Sequence, residues 1–236
     1  MKPMYSQEWF TTFAATVPAS IIANELDGIE RMLPRNQYPR LLDVGCGIGR
    51  ISGPLHARGY AVTGLDVNVD ALHTASRQAS GPRYIALDQR HVDRLRWTFD
   101  GALVLWNSLG FVGRGADLET VAGLAAVVRP GGAIVFDLYH PEWLRRNERP
   151  DAVDERGAVV RRWMNGGRCC HEIRFPNGQV DNIQFDVYLP EEMRDLARQA
   201  GLSPTTEMTW WNPAAHASAE VPRYQLVCET RGGGLS

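Results

Sequence analysis

Three carboxylates follow apolar stretches in the first half of the chain: Asp43, Asp66 and Asp88. Glycines at 45, 47 and 49 come directly after the first, and glycine allows backbone angles and close ligand approaches that a Cβ prevents. Ligands of open α/β sheets bind outside the carboxyl ends of the strands, so Asp43 is expected to face a ligand. The dinucleotide fingerprint GxGxxG requires glycine where this chain has Arg50. Because a carboxylate also repels phosphate, the turn favours a cationic ligand.

The segment from Asp43 to Gly49 resembles the first motif of the class I S-adenosylmethionine-dependent methyltransferases. That cofactor carries a sulfonium and an ammonium but no phosphate. The resemblance implies a Rossmann-like, doubly wound α/β fold with a seven-stranded sheet, mostly parallel with the final strand antiparallel. It also implies that Asp66 binds ribose hydroxyls and Asp88 the adenine amino group, although either could instead cap a helix or turn. The predicted cofactor-binding residues are Tyr5, Asp43, Gly45, Cys46, Gly47, Asp66, Val67, Asp88, Gln89 and Asn107.

Apolar runs and turn signals predict strands alternating with helices through the middle of the chain. A helix is predicted over 45–58, where Pro54 requires it to begin late or bend. Asp117 is predicted to cap a helix over 118–128, and a Pro-Gly-Gly turn precedes the fifth strand. The predicted strands of the main sheet are 41–44, 61–66, 83–87, 99–105, 133–136, 205–211 and 223–230, with a further helix at 190–200.

Two segments depart from this alternation, although we expect a single domain over residues 1–236. Residues 1–39 predict two helices that, by the resemblance, cover the cofactor and substrate, with Tyr5 and Trp9 in contact. Plain packing at the edge of the domain is the alternative. Residues 157–189 contain two Asn-Gly turn signals and alternating apolar residues, which predict a three-stranded antiparallel insertion. The resemblance implies a lid over the acceptor pocket, and the alternative is a dimer-forming arm.

Few side chains near the expected site could act as a base, which methyl transfer needs only if the acceptor arrives protonated. His140 and Tyr139 follow the fifth strand at its carboxyl end, and His171 and Glu172 lie in the insertion. His140 is our first candidate and surface or capping duty is its alternative. A shift of one residue in strand register would turn His171 away from the pocket. The predicted catalytic residues are His140, Tyr139 and His171.

The composition narrows the possible partners of the chain. Its 236 residues carry a formal net charge of −2, which gives no electrostatic case for nucleic acid. The four cysteines form no CxxC motif, and no His/Cys cluster has metal spacing, so we expect no metal site. We find no signal-like apolar run and no stretch of about 18 apolar residues, so we expect a cytoplasmic protein without membrane contact.

The sequence therefore predicts methyl transfer from S-adenosylmethionine to an oxygen or nitrogen of a small molecule, and a homodimer is among the assemblies that it leaves open. Asn107 is not followed by the two prolines and the aromatic residue that complete the motif of methyltransferases acting on nucleic-acid bases and protein amides. This difference argues against such acceptors. One alternative is an enzyme that uses the same cofactor without methylating, such as a cyclase or lyase. Others are a nicotinamide oxidoreductase, which Arg50 and Asp43 argue against, and a cofactor-binding regulatory protein.

Overall fold

A computed structural model describes residues 5–231 of the chain. Within that range the polypeptide forms a seven-stranded sheet flanked by helices and a separate four-stranded sheet. The strands are β1 (Arg40–Val44), β2 (Ala61–Asp66), β3 (Arg83–Ala86), β4 (Phe99–Val104), β5 (Val128–Tyr139), β6 (Arg149–Val153), β7 (Val159–Asn165), β8 (Arg168–Arg174), β9 (Val180–Asp186), β10 (Leu202–Met208) and β11 (Arg223–Thr230). The α-helices are α1 (Gln7–Thr12), α2 (Ala19–Met32), α3 (Ser52–Ala57), α4 (Val69–Gln78), α5 (Arg114–Val127), α6 (Pro141–Arg146) and α7 (Pro190–Gln199).

The larger sheet has the strand order β10-β11-β5-β4-β1-β2-β3. Strands β1 to β5 pair in parallel, whereas β11 runs antiparallel to both β5 and β10. The predicted fold class is therefore confirmed, including the reversed final strand. Because the parallel strands all end at one edge, the loops that follow them meet there.

Helices cover both faces of this sheet, as the doubly wound arrangement requires. Leu41 and Leu42 in β1 are both fully buried, and they belong to different core clusters because neighbouring strand residues point to opposite faces. Helices α2 and α3 contribute to one cluster, and α5 and α7 to the other. Burial on both faces explains why β1 is a continuous apolar run rather than an alternating one.

Three local predictions on this sheet are corrected. The first crossover helix is short, because the glycines at 45, 47 and 49 have positive φ and interrupt a helix, so α3 begins only at Ser52. Pro54 then lies in the first turn, where its missing N–H costs little. Helix α5 begins at Arg114, and Asp117 is not its cap but a buried acceptor for Gly110 N and the Tyr188 hydroxyl. Finally, β5 extends from residue 128 across the Pro-Gly-Gly turn with an irregularity in register.

The insertion after β5 contains four strands rather than the three predicted, in the order β6-β7-β8-β9. The additional strand, β6, pairs only with β7 and so lies at one edge of the smaller sheet. It contains Pro150, and proline is tolerated in edge strands because no neighbour needs its N–H. Its burial does not alternate and no Asn-Gly turn flanks it, so it lacks the signals by which the sequence indicated β7 to β9.

The described part of the N-terminal segment contains the two predicted helices. Ser6 caps α1, its Oγ accepting a hydrogen bond from Trp9 N at 3.3 Å. The same hydroxyl donates to Asp181 in the smaller sheet at 2.8 Å, so α1 is tied to the insertion. No helix within residues 5–231 combines the length and apolarity that a membrane crossing requires.

Candidate cofactor and acceptor site

A cavity of about 690 Å³ runs from the carboxyl edge of the main sheet to the smaller sheet, a size typical of small-molecule sites. Gly45, Gly47 and Asp66 line one end of this cavity. His171 and Ile173 of β8 line the other end, beneath the insertion. The glycine turn and the insertion therefore border one continuous space.

The glycine turn brings main-chain atoms directly to the cavity wall. Gly45 and Gly47 have φ values of 71° and 52°, the left-handed region that glycine enters without strain. A Cβ at Gly45 would lie 2.5 Å from Ser108 Oγ, and one at Gly47 would lie 2.8 Å from Phe10 Cε1. Both glycines are thus required by close neighbours as well as by backbone conformation.

Asp66 ends β2 with its carboxylate at the cavity. One carboxylate oxygen accepts a hydrogen bond from Gly47 N at 2.8 Å, and the other accepts one from Asn68 N at 2.8 Å. Burial raises the pKa of Asp66, while these backbone donors act against the rise. A carboxylate has about four acceptor sites, so both oxygens retain capacity for ligand hydroxyls.

The strand, the glycine turn and the carboxylate that follows lie in a segment that matches a known protein family. Residues 41–132 match a protein-family model described as a methyltransferase domain. The resemblance to the class I S-adenosylmethionine-dependent methyltransferases is confirmed for this domain. S-adenosylmethionine is accordingly its cofactor.

Curated relatives of this methyltransferase match parts of its sequence. A malonyl-[acyl-carrier protein] O-methyltransferase of Enterobacter lignolyticus is 30% identical over 141 residues, which cover 58% of this chain and 55% of the relative. A ubiquinone biosynthesis O-methyltransferase of Ruegeria pomeroyi is 31% identical over 169 residues, covering 70% and 60%. The chain spans about half the length of the first curated relatives that it matches.

Solved structures extend the likeness of this methyltransferase to nearly the whole fold. An S-adenosylmethionine-dependent methyltransferase from Clostridium acetobutylicum has a TM-score of 0.77 at 14% identity, covering 95% of this chain and 96% of that one. CalS10, an amino pentose methyltransferase from Micromonospora echinaspora, has a TM-score of 0.73 at 24% identity, covering 98% and 99%. At these identities the likeness shows the fold.

The cavity brings together seven of the ten predicted cofactor residues. Asp43 and Cys46 are instead buried beside a smaller neighbouring cavity. The Asp43 carboxylate accepts a hydrogen bond from Ser52 Oγ at 2.6 Å, so it faces α3. Burial raises the pKa of Asp43 to about 6, and the Ser52 hydrogen bond and the Arg50 charge act against that rise. The seven residues along the main cavity are Tyr5, Gly45, Gly47, Asp66, Val67, Gln89 and Asn107.

Asp88 is the third predicted residue that does not line the main cavity. Its carboxylate accepts hydrogen bonds from Arg90, at 3.0 Å from the backbone N and at 2.7 Å and 3.1 Å from the guanidinium. The Arg90 hydrogen bonds lower the pKa of Asp88 to about 2, against the effect of burial. An arginine two residues along the chain thus engages the carboxylate, and the neighbouring Gln89 is the residue that lines the cavity.

The loop after β4 is held in an unusual conformation. Trp106 and Asn107 have φ values of 52° and 61°, a conformation that costs energy for residues with a Cβ. Trp106 N donates to Asp137 Oδ2 at 3.0 Å, and Asn107 Oδ1 accepts from Tyr139 N at 3.0 Å. Asn107 Nδ2 also donates to the backbone oxygen of Leu109 at 3.0 Å. These hydrogen bonds fix the loop to the end of β5.

A buried ion pair lies behind this loop. Arg223 donates to the Asp137 carboxylate through Nε at 3.1 Å and through its terminal nitrogen at 2.5 Å. Its guanidinium also lies 4.6 Å from the ring centre of Tyr139 and 5.2 Å from that of Trp106. Burial acts to lower the pKa of Arg223, but the charge and hydrogen bond of Asp137, together with the influence of Tyr139 and Glu25, outweigh it and the pKa is raised. The pair orients two aromatic residues of the cavity wall.

Two of the three predicted catalytic residues line the cavity and the first-ranked one does not. The rings of Tyr139 and His171 lie 6.2 Å and 5.7 Å from the ring of Phe185. His140 lies outside the cavity wall. Its ring centre is 6.3 Å from that of Tyr224, in an edge-on arrangement. Successive residues of extended chain point in opposite directions, so a cavity-facing Tyr139 turns His140 away. Glu172 is likewise outside the cavity wall, beside His171 on the strand.

His171 combines burial with an unused nitrogen. Its Nε2 is buried and has no hydrogen-bond partner among residues 5–231. Burial, together with the nearby Arg162 charge, lowers the pKa of His171 to about 4. The imidazole is therefore neutral near pH 7, and the lowered pKa makes it a weaker base than an exposed histidine.

The sequence did not identify the phenylalanine residues that line the cavity. Tyr5 and Phe111 have ring centres 5.7 Å apart, and Phe111 and Phe185 5.4 Å apart, so aromatic rings run from the N-terminal segment to the insertion. The spacing of Phe10 and Phe13 in the sequence indicated only the apolar side of a helix. The further lining residues that the sequence did not single out include Ser108, Arg149, Asp154, Glu155 and Arg156.

Proposed function

We propose that the chain transfers the methyl group of S-adenosylmethionine to an oxygen or nitrogen of a small-molecule acceptor. The observation that carries this proposal is the single cavity that reaches from Asp66 and the glycine turn to His171. A cofactor held at the first end and an acceptor under the insertion would meet in one enclosed space.

The cofactor supplies a methyl group that is already activated by the sulfonium, so the protein chiefly has to align the acceptor for in-line displacement. Such alignment can contribute about 7–11 kcal/mol to the reduction of the barrier. Asp66 would bind the ribose hydroxyls, and the backbone of Gly45 and Gly47 would contact the body of the cofactor. Asn107 would contribute by shaping the loop after β4 and not by a side-chain contact with the ligand. Its side chain already bonds Tyr139 N and Leu109 O.

The insertion and the N-terminal segment would enclose the acceptor. Of the two predicted roles of the insertion, we therefore propose the lid rather than the dimer-forming arm. Support for this assignment comes from the face of the smaller sheet that lines the cavity and from the hydrogen bond between Ser6 and Asp181. An acceptor that arrives protonated would lose its proton to His171 Nε2, which is neutral and unused. Tyr139 is the second candidate for this contact.

Similar proteins support a small acceptor but leave the choice of oxygen or nitrogen open. Among the matched sequence relatives, one is named as a malonyl-[acyl-carrier protein] O-methyltransferase and others as ubiquinone biosynthesis O-methyltransferases. Two structural neighbours are titled as an amino pentose methyltransferase and a sugar N-methyltransferase. We therefore propose the class of small oxygen and nitrogen nucleophiles rather than one compound.

Titration calorimetry with S-adenosylmethionine, S-adenosylhomocysteine and NAD in parallel tests the cofactor assignment. We expect binding of the first two only. Asp66→Ala should raise their dissociation constants by about a hundredfold or more, because two hydrogen bonds to a carboxylate contribute about 1.5 kcal/mol or more each. Asp70→Ala, at an exposed carboxylate outside the cavity, is the matched control.

Binding of NAD, or unchanged affinity in Asp66→Ala, would contradict the cofactor assignment. A mass-shift screen of small oxygen and nitrogen nucleophiles then tests the reaction. Cofactor consumption without any methylated product would indicate a non-methylating enzyme of the cyclase or lyase type.

A further inference from the structure

The turn between β6 and β7 contributes Asp154 to the lining of the cavity. Asp154 Oδ1 accepts hydrogen bonds from Arg156 N at 2.9 Å and Ala158 N at 3.0 Å, and Asp154 N donates to Ala158 O at 2.9 Å. These contacts fix the side chain, whose exposed fraction is only 10%. The second oxygen, Oδ2, is buried and has no hydrogen-bond partner among residues 5–231.

The nearest cation does not satisfy this oxygen. A terminal nitrogen of Arg156 lies 3.6 Å from Asp154 Oδ2, which is close enough for an ion pair but too long for a hydrogen bond. The same guanidinium lies 3.3 Å from the Glu155 carboxylate, donates to Thr16 Oγ1 at 3.1 Å and stands over the ring of Phe13. Because these contacts hold Arg156 elsewhere, the hydrogen-bonding capacity of Asp154 Oδ2 is unused at a residue that lines the cavity.

The surroundings of Asp154 describe the rest of such a ligand. Val160 and Ile173 line the cavity and pair directly across β7 and β8, so they offer an apolar surface. His171 is two residues from Ile173 on the same strand and therefore on the same face of the sheet. A ligand on this surface would place a donor at Asp154 and another part of itself beside His171.

We propose that Asp154 determines acceptor specificity by accepting a hydrogen bond from a hydroxyl or amino group of the acceptor. This inference rests on the proposed function, and the bonded group is a different one from the atom that is methylated. The carboxylate selects a neutral or cationic acceptor at this position, because it would repel a ligand carboxylate or phosphate. The apolar part of the acceptor packs against the β7–β8 face.

The substitution Asp154→Asn tests this assignment with little change to the turn. It keeps one oxygen for the two backbone donors and replaces the free carboxylate oxygen by an NH₂ group, which donates rather than accepts. Asp195→Asn removes the same charge from an exposed position of α7, outside the cavity, and is the matched control. Asp154→Ser is a second variant, since a serine hydroxyl can accept the same local backbone donors.

The probes are cyclohexanol, cyclohexylamine and cyclohexanecarboxylate, which share one apolar ring and differ in the polar group. Binding to protein saturated with S-adenosylhomocysteine is measured by NMR up to about 20 mM, a range that detects millimolar dissociation constants. We expect cyclohexanol or cyclohexylamine to bind the unsubstituted protein more tightly than cyclohexanecarboxylate. We expect Asp154→Asn to weaken that binding by about tenfold or more and Asp195→Asn to leave it unchanged.

Comparison of the two donor probes identifies the preferred group, and stronger binding of either supports the proposal. Equal binding to the Asp154→Asn protein, preference for the carboxylate, or no probe binding to the unsubstituted protein would overturn it. Bound S-adenosylhomocysteine and the melting temperature report whether each variant is folded. Failure of the unsubstituted protein to bind the cofactor would instead contradict the proposed function, so the two failures are distinguishable.

Discussion

Removal of the Arg223 guanidinium should leave a buried charge without its counterion. Asp137 is 2% exposed, and Arg223 supplies two of the hydrogen bonds to its carboxylate. Trp106 N and Gln225 Nε2 would remain as donors, at 3.0 Å and 2.9 Å. Removing one partner of a buried ion pair costs about 3–5 kcal/mol, so Arg223→Met should lower the free energy of unfolding by that amount.

The double variant Asp137→Asn/Arg223→Met separates the charge effect from lost packing. Replacing both partners of a buried pair by neutral groups is often close to neutral, so the double variant should be more stable than Arg223→Met by about 2 kcal/mol or more. Urea denaturation followed by circular dichroism at pH 7 measures both, provided that the slopes with denaturant agree. The single variant Asp137→Asn completes the cycle.

A double variant no more stable than Arg223→Met would refute this reasoning. That result would mean that the guanidinium contributes by packing on Tyr139 and Trp106 and not by neutralising Asp137. Equal stability of Arg223→Met and the unsubstituted protein would show that the pair contributes nothing measurable.

Three further changes should have local and measurable effects. Gly47→Ala forces a Cβ into left-handed backbone and against Phe10, at a cost of about 1–2 kcal/mol, so calorimetry should show roughly tenfold weaker S-adenosylmethionine binding. Gly115→Ala, in open space, is the control, and unchanged affinity of Gly47→Ala would contradict the requirement for glycine. Burial raises the pKa of Asp43 to about 6, above its unfolded value of about 3.8, so the folded state binds more protons between these two pH values. The free energy of unfolding should therefore fall as the pH rises from about 3.8 to about 6. Urea denaturation at a series of pH values should show that the free energy of unfolding of Asp43→Asn falls less steeply with pH than that of the unsubstituted protein. An unchanged dependence on pH would contradict this. Ser6→Ala removes the cap of α1 and the hydrogen bond from its hydroxyl to the insertion, at a cost of about 1 kcal/mol. Amide hydrogen exchange in residues 7–12 should therefore accelerate. Unchanged exchange would show that the cap is dispensable.

The main sheet could be predicted because its signals are local. The apolar run of β1, its acidic residue Asp43 and the glycine turn each depend on near neighbours in sequence. In the smaller sheet, the alternation in β9 gives a period of two. Strand β6 lacked such a signal, because an edge strand with Pro150 needs neither a buried face nor every backbone donor.

The site was less predictable because side-chain direction and distant partners decide it. His140 and Tyr139 are adjacent in sequence, yet only Tyr139 lines the cavity. Asp88 stands at a strand end as expected, but Arg90 takes up its carboxylate. The pairing of Arg223 with Asp137 joins residues 86 apart, a relation that one sequence does not reveal.

The insertion is joined to the rest of the fold like an exchangeable module. The chain leaves β5 at Tyr139, forms the four-stranded sheet and returns beside the β4–α5 loop, where Asp186 N bonds Gly110 O at 2.9 Å. The strands β10 and β11 that complete the main sheet come after this return. Transplanting residues 140–187 between members of the fold would therefore exchange one wall of the acceptor end while keeping Asp66 and the glycine turn. Evolution could diversify acceptors by the same route without disturbing the cofactor end.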